Sequence, residues 1–368
     1  MTFLYNIFNY DYIFSYIKIL KCVTRSIPLL NFFLYGQNLD SLSFGDDNSL
    51  DIATWNIERF PKNDHITTDY VAEIIQQLDL DIIAIQEIDS ELMFDQMINT
   101  LQAYNGYYQS GWFAGLGFIF KTEAVEINDI YEIYTTSPYW NAFPRSPMVM
   151  DINFMEQNYF IINNHFKCCG DGMIDFDNLS DEETRRYTAI NLIKEYIDNN
   201  LESKRVIVLG DLNDNIAEAP ANNVFRKILE DSLNYFFADL EIAQGSISEW
   251  SYPNWPSHID HILVTNEIFN GINTIEAKTI KVDQYLGGGW NEYDQNISDH
   301  RPVAIKINYN SAIPYDINND GHLNNSDFIT LLYFVIDNNS LSASADINSD
   351  LEVNIFDLLI LSDFFQGN

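Results

Sequence analysis

Three cysteines in 368 residues are too few to staple a chain of this length. Cys22 stands near the start and Cys168 and Cys169 are adjacent, so there is no framework of spaced half-cystines and packing must hold the fold. The adjacent pair could close into a vicinal disulfide in an oxidising compartment, in a strained geometry. Positive charge is also scarce: 19 Lys and Arg stand against 54 Asp and Glu, a formal net charge of -35. That balance excludes tight, purely electrostatic binding to bare nucleic-acid backbone, which needs a basic surface. It is compatible with a metal-dependent enzyme, where cations offset clustered carboxylates, and with solubility outside the cell. Long apolar runs are missing too. The run at 27–35 is too short to span a bilayer, follows Lys18, Lys21 and Arg25, and reads as a secretory leader over residues 1–36. A secreted protein with no stable membrane insertion is expected.

With 14% aromatic residues the chain is globular, and its length allows two or three domains. From residue 50 the pattern is α/β. Strands are predicted over 51–57, 81–85, 117–120, 125–134, 148–154, 159–164, 206–209, 259–265 and 302–308. Helices are predicted over 71–78, 91–101 and near 222–231. Another opens at the capping box Ser180-Asp181-Glu182-Glu183, with an apolar stripe at Tyr187, Ile190, Ile193, Tyr196 and Ile197. Arg185 and Arg186 on that helix read as surface ion-pairing residues. Strands and helices in this order predict two packed β-sheets flanked by helices.

The chain is organised around Val206-Ile207-Val208-Leu209-Gly210-Asp211-Leu212-Asn213-Asp214, a doubly buried strand that ends in a glycine turn and three polar side chains. Carboxylate and amide oxygens at such a rim suit Mg²⁺, Ca²⁺ or an attacking water. Other polar residues fall near predicted strand ends: Asn56, Glu87, Arg145, His165, Asp260, Asp299 and His300. Each alone has an ordinary reading as a helix-entry carboxylate, a satisfied buried histidine or a turn residue. Their shared placement points to one site. His258 and His261 hint at zinc, but on a strand they would point to opposite faces, so that reading is set aside.

In order and spacing these stretches resemble the endonuclease/exonuclease/phosphatase superfamily. The match rests on Thr54-Trp55-Asn56-Ile57-Glu58, Ile85-Gln86-Glu87, Asn164-His165, Gly210-Asp211-Leu212-Asn213, Ile259-Asp260 and Ser298-Asp299-His300-Arg301-Pro302. The resemblance implies a four-layer α/β sandwich over 50–309 that hydrolyses phosphate esters with Mg²⁺ (or Mn²⁺). It also implies roles. Asn56, Glu87 and Asp299 would hold the metal, and Asp211, steadied by Asn213, would orient or deprotonate the water. His300 with Asp260 would act on the phosphate, while His165 and Arg145 neutralise its oxygens. The chain departs from deoxyribonucleases in two places. Ile88-Asp89 follows Glu87 where they carry Arg, and no acid lies in 112–117 to partner the first histidine. Both gaps weaken duplex DNA as substrate. A nuclease is therefore expected, with a phosphatase or phospholipase-type phosphodiesterase as the alternative and a non-catalytic scaffold as the second. In the loop at 164–172, Lys167 could approach substrate phosphate or simply belong to a rigid exposed turn.

Beyond Tyr315 there is no Lys or Arg, and a loop-plus-helix unit occurs twice. Oxygen ligands for Ca²⁺ would be Asp316, Asn318, Asp320, His322, Asn324 and Asp327 in the first loop. In the second they would be Asp346, Asn348, Asp350, Glu352, Asn354 and Asp357. Gly321 makes the sharp turn in the first copy, and Leu351 replaces it in the second. Asp closes both loops and one helix follows each. Residues 316–368 therefore resemble a type I dockerin, which implies a small all-α domain folded by Ca²⁺ and a cohesin-like partner. Its contact pairs would be Asn325-Ser326 and Ile355-Phe356.

Overall fold

The computed structural model describes residues 38–109, 114–269, 274–308, 315–318, 323–337, 345–348, 350 and 352–367. The leader, Asp320, Gly321, His322 and Leu351 lie outside the described residues. The strands are β1 (Ser49–Phe60), β2 (Ile82–Ile88), β3 (Tyr104–Gln109), β4 (Gly115–Lys121), β5 (Glu126–Glu132) and β6 (Met148–Phe154). They continue with β7 (Gln157–His165), β8 (Arg205–Asp211), β9 (Tyr235–Phe237), β10 (Asp260–Thr265), β11 (Thr274–Thr279) and β12 (Val303–Asn308). The helices are α1 (Asp64–Leu78), α2 (Glu91–Ile98), α3 (Glu182–Asn200), α4 (Arg226–Leu229), α5 (Leu240–Gln244), α6 (Asn266–Phe269), α7 (Gly289–Asn296), α8 (Asn325–Asp337) and α9 (Ile355–Gly367).

Alternation along doubly buried strands builds the layers. In β8, Ile207 and Leu209 face the middle of the molecule, where they meet Leu50, Ile52, Ile82 and Ala84 of β1 and β2. Val206 and Val208 face outward onto Ile190, Ile193 and Ile197 of α3. Likewise Trp55, Ile83 and Ile85 face outward onto Val71, Ile74, Ile75 and Leu78 of α1. Two mixed six-stranded sheets thus pack face to face with helices outside them. Their orders are β11-β12-β1-β2-β4-β3 and β5-β6-β7-β8-β10-β9. Leu39 and Leu42 join the outer core under α1, so the folded domain begins before residue 50.

Each sheet contains one parallel pair, β1/β2 and β7/β8, joined by the helical crossovers α1 and α3. Every other pairing is antiparallel. A parallel pair sends both strands out of the sheet at the same end, where the backbone leaves its ladder and polar side chains gather. Gly210 is needed at one such end. Its φ is +144°, and a Cβ there would lie 1.9 Å from the Asn164 carbonyl on the neighbouring strand.

Several expectations are corrected. The cap of α3 is Asp181, not Ser180: its side chain accepts from the Thr184 N–H at 2.8 Å. Arg186 is not a surface residue. It is 3% exposed, donates through Nε to Asp214 at 2.8 Å and lies 3.2 Å from Glu183. The helix expected near 222–231 shrinks to α4, and that expected over 91–101 ends at Ile98. In the C-terminal segment α8 and α9 meet around Ile317, Leu331, Ala345, Leu358 and Leu361. The two copies share one closure. Asp327 accepts the N–H groups of Ile317, Asn318 and Asn324, and Asp357 those of Ile347, Asn348 and Asn354. No helix among the described residues is long and apolar enough to cross a membrane.

Candidate active site

The ends of the two parallel pairs converge. Asn56 closes on Glu87 within its own sheet, its Nδ2 donating to Oε1 at 3.2 Å, and reaches across to Asp211 Oδ2 at 3.0 Å. His165 Nε2 stands 3.4 Å from the same Asp211 oxygen and 3.9 Å from Glu87. His300 Nε2 stands 3.9 Å from that same Asp211 oxygen, and its Nδ1 meets Asp260 Oδ2 at 2.8 Å. Asp211 therefore lies between two imidazoles, with a donated amide beside it. The backbone holds these groups in place. Glu87 has φ +68° in a bulge of β2, and the Arg59 N–H donates to its Oε2 at 3.0 Å. The His300 carbonyl accepts from Trp55 Nε1 and Tyr293 Oη, while Ser298 Oγ donates to the Asn56 carbonyl at 2.7 Å.

Burial sets the electrostatics. Asp211 is 2% exposed, and loss of water pushes its carboxyl well above the usual range, with His300 opposing that rise. Burial alone would discharge His300, but Asp260 and Asp211 overcome it and hold the imidazole well above its ordinary value. His165 goes the other way: burial, Arg145 and His300 all favour its neutral form. The two histidines thus sit in opposite charge states at neutral pH, as in a site that pairs a cationic donor with a neutral ring.

Not every predicted residue sits as expected. Asn213 steadies Asp211 with its backbone N–H, at 3.1 Å from Oδ1, while its amide reaches the Phe166 carbonyl at 3.4 Å. Arg145 Nε donates to the Ala114 carbonyl, with its charge felt by Glu87 and Asp211. Asp299 lies 3.9 Å from His300 Nε2, and its N–H donates to Glu58 Oε2 at 2.9 Å. His165 Nδ1 has no partner among the described residues, in keeping with the missing acid in 112–117.

Glu58 and Tyr252 were missed. Glu58 is salt-bridged to Lys62 and accepts the Asp299 N–H at 2.9 Å, and burial raises its carboxyl. Its place in the stretch Thr54-Trp55-Asn56-Ile57-Glu58 was the available signal, but φ +36° at Glu58 and the register break after Asn56 take it out of strand alternation. The ring of Tyr252 lies 4.7 Å from that of His300, and its hydroxyl is within electrostatic reach of Asp299. No motif marks it. Glu87, next to Asn56, offers a hard oxygen donor of the kind Mg²⁺ or Mn²⁺ takes, and Glu58 and Asp299, adjoining one another, offer two more. Asp211, Asp260 and His300 also cluster closely enough to ligate an ion, but the His300–Asp260 hydrogen bond already occupies that set. His258 and His261 do converge, both on Asp239 Oδ2 at 2.9 and 2.6 Å. Only His261 belongs to β10, so strand alternation did not apply to the pair. His261 donates on to the Asp214 carbonyl, and Ile262 N donates to Asp239, so the cluster is saturated by its own hydrogen bonds.

Two mixed sheets with acids, amides and imidazoles at the ends of their parallel pairs make a phosphodiesterase- or nuclease-like fold. Residues 53–300 match the Endonuclease/Exonuclease/phosphatase family, and the chain belongs to that family. Among solved structures it is similar to D. rerio TDP2 complexed with single strand DNA product: 14% identity, TM-score 0.54, covering 72% of this chain and 100% of that one. The human Nocturnin catalytic domain with bound sulfate anion is also similar, with 15% identity, TM-score 0.52 and coverage of 71% and 94%. So is an endonuclease/exonuclease/phosphatase from Bacteroides vulgatus, with 15% identity, TM-score 0.52 and coverage of 70% and 98%. Comparison with curated proteins found no match.

Proposed function

We propose that the protein is a divalent-metal-dependent phosphodiesterase, and in the first place a nuclease. The observation that carries this is Asp211 held between His165 and His300 with Asn56 donating to it. Asp211 orients the attacking water and takes its proton, its raised basicity matching that task. His300, kept cationic by Asp260, donates to a phosphate oxygen, and neutral His165 with Arg145 takes up the remaining charge. Glu87, with Glu58 and Asp299 as the other acids at hand, would hold Mg²⁺ or Mn²⁺. When bound, that ion withdraws charge from the phosphate as phosphorus gains a fifth oxygen. A similar structure carries single strand DNA product, which supports a nucleic-acid substrate. Assays with Mg²⁺ on plasmid, single-stranded DNA and RNA, and inositol- or choline-phosphate esters decide the matter. Turnover of the small esters alone would replace the nuclease with the phosphatase or phospholipase-type reading, and no turnover would leave a non-catalytic scaffold.

Glu87→Gln should raise the Mg²⁺ concentration for half-maximal rate by about tenfold or more, with a smaller fall in the rate at saturating metal. A metal titration of the rate checks this, and an unchanged midpoint would remove Glu87 from the metal site.

We further propose a dockerin-like module over 316–368 on a secreted protein, bound to a cohesin-like partner. The matching loop closures by Asp327 and Asp357 support it. Millimolar Ca²⁺ should raise the helical circular dichroism of the segment 311–368, and a flat titration would reject the module.

A further inference from the structure

The loop that follows β7 carries the adjacent thiols, and neither takes part in the proposed hydrolysis. Cys168 and Cys169 are exposed, with their sulfurs 3.1 Å apart. The backbone on both sides is clamped from below. Arg186 Nη1 donates to the carbonyls of Lys167 at 2.8 Å and Cys169 at 2.7 Å, while Gly172 N donates to Glu183 Oε1 at 2.6 Å. Gly170, at φ +111°, lets the chain pass where a Cβ would lie 2.1 Å from that same Oε1. The Cys168 carbonyl instead accepts from Lys167 Nζ at 2.9 Å, and Nζ stands 3.7 Å from Cys168 Sγ. The pair lies at the rim of the active site. His165 is three residues upstream, and Arg145 is within electrostatic reach of Cys168 as well as of Glu87 and Asp211.

We propose that Cys168 and Cys169 form a dithiol–disulfide exchange site for small-molecule disulfides, and that closing their ring frees Lys167 for substrate phosphate. The thiolate of one cysteine attacks the small disulfide, forms a mixed disulfide and releases one thiol. The second cysteine loses its proton to solvent, attacks the protein sulfur of the mixed bond and releases the second thiol. Two protein thiols are oxidised and one small disulfide is reduced to two thiols. Consecutive Cα atoms are about 3.8 Å apart, closer than the about 4.4–6.8 Å a relaxed disulfide spans, so the ring is strained and readily reduced again. The backbone must turn to close it. Arg186 holds the carbonyls on either side, so the Cys168–Cys169 peptide is the part that turns, and its carbonyl is the one Lys167 donates to, with Glu182 Oε1 3.8 Å from the same ammonium.

The exchange chemistry stands on the loop alone, whereas the effect on substrate rests on the phosphodiesterase reading. The full chain is equilibrated with mixtures of reduced and oxidised glutathione, and the peptide bearing both cysteines is mapped by mass while phosphodiester hydrolysis is followed. Expected is loss of both thiol hydrogens without a glutathione adduct, reversed by dithiothreitol. KM should fall about two- to fivefold, the worth of one exposed ion pair, with little change in kcat. The double variant Cys168→Ser, Cys169→Ser should keep the KM of the reduced protein in every mixture. Lys167→Gln should still form the ring but lose the KM response. A persistent glutathione adduct, or no mass change at any ratio, would overturn the exchange site. Ring closure with KM unmoved would overturn the role of Lys167. Absence of any phosphodiester turnover would count against the proposed function, while the mass measurement would still decide the exchange.

Discussion

Asp211→Asn is expected to lower kcat by about 10²–10⁴-fold, the range for losing a positioned general base, with the protein no less stable. The second half of this expectation comes from burial. The carboxyl of Asp211 is raised by loss of water, so the folded state holds its proton more tightly than the unfolded chain. A group raised in this way makes folding less favourable as pH climbs from the unfolded value toward the folded one, and the penalty is complete above both. Removing the charge removes that penalty. One contact works against the gain, because the Asn213 N–H and the Asn56 amide both donate to Asp211 and an asparagine has only one oxygen to accept them. Urea melts at pH 8 and steady-state hydrolysis of the same samples check both parts. Full turnover in the variant would take water activation away from Asp211. A strongly lowered melt with proportionate activity loss would make the residue structural.

Legibility in the sequence followed burial. Strands with two covered faces, such as Val206-Ile207-Val208-Leu209, are continuous apolar runs, and β6 falls where predicted, at Met148–Phe154. Of the edge strands, β5 was legible at 125–134 but the others were not. β3 reads Tyr104-Asn105-Gly106-Tyr107-Tyr108-Gln109 and β11 reads Thr274-Ile275-Glu276-Ala277-Lys278-Thr279; both sit at sheet ends, where one side of the strand has no partner and polar residues are tolerated. The site shows the same division. Asn56, Glu87, His165, Asp211, Asp260 and His300 were legible because each ends or adjoins a strong strand, and they do meet. Contacts made through the backbone were not legible: Asn213 acts on Asp211 with its N–H, and the Asp299 N–H donates to Glu58. Arg186 was misread because helix periodicity does not register a buried ion pair. Its partners Asp214 and Glu183 come from a loop and from its own helix.

Asp260→Asn is the other change expected to have a large effect, and pH separates it from Asp211→Asn. In the folded protein the His300 imidazole is pushed up to about 10: burial disfavours its charge, and Asp260 at 2.8 Å with Asp211 beyond more than reverses that. The charged ring is therefore present throughout the neutral range and is lost only as pH rises through that value. An asparagine can still accept from Nδ1–H, but the compensating charge is gone while the burial stays, so the pKa must fall. At neutral pH the variant then has a neutral ring where the phosphate needs a cation. A fall in kcat/KM of about 10²–10⁴-fold is expected, as for the carboxylate of a catalytic triad. The alkaline limb of the pH–rate profile should move about three units or more toward acid, bringing it to neutral pH or below. Lowering the pH should restore little of the activity, because the Asp211 carboxyl is itself pushed up to about 7 and takes up its proton in the same range. An alkaline limb that stays in place would show that Asp260 does not set the charge of His300. A uniform loss at every pH would instead make the pair a matter of orientation alone, with the carboxylate fixing the ring and its charge contributing nothing to the chemistry.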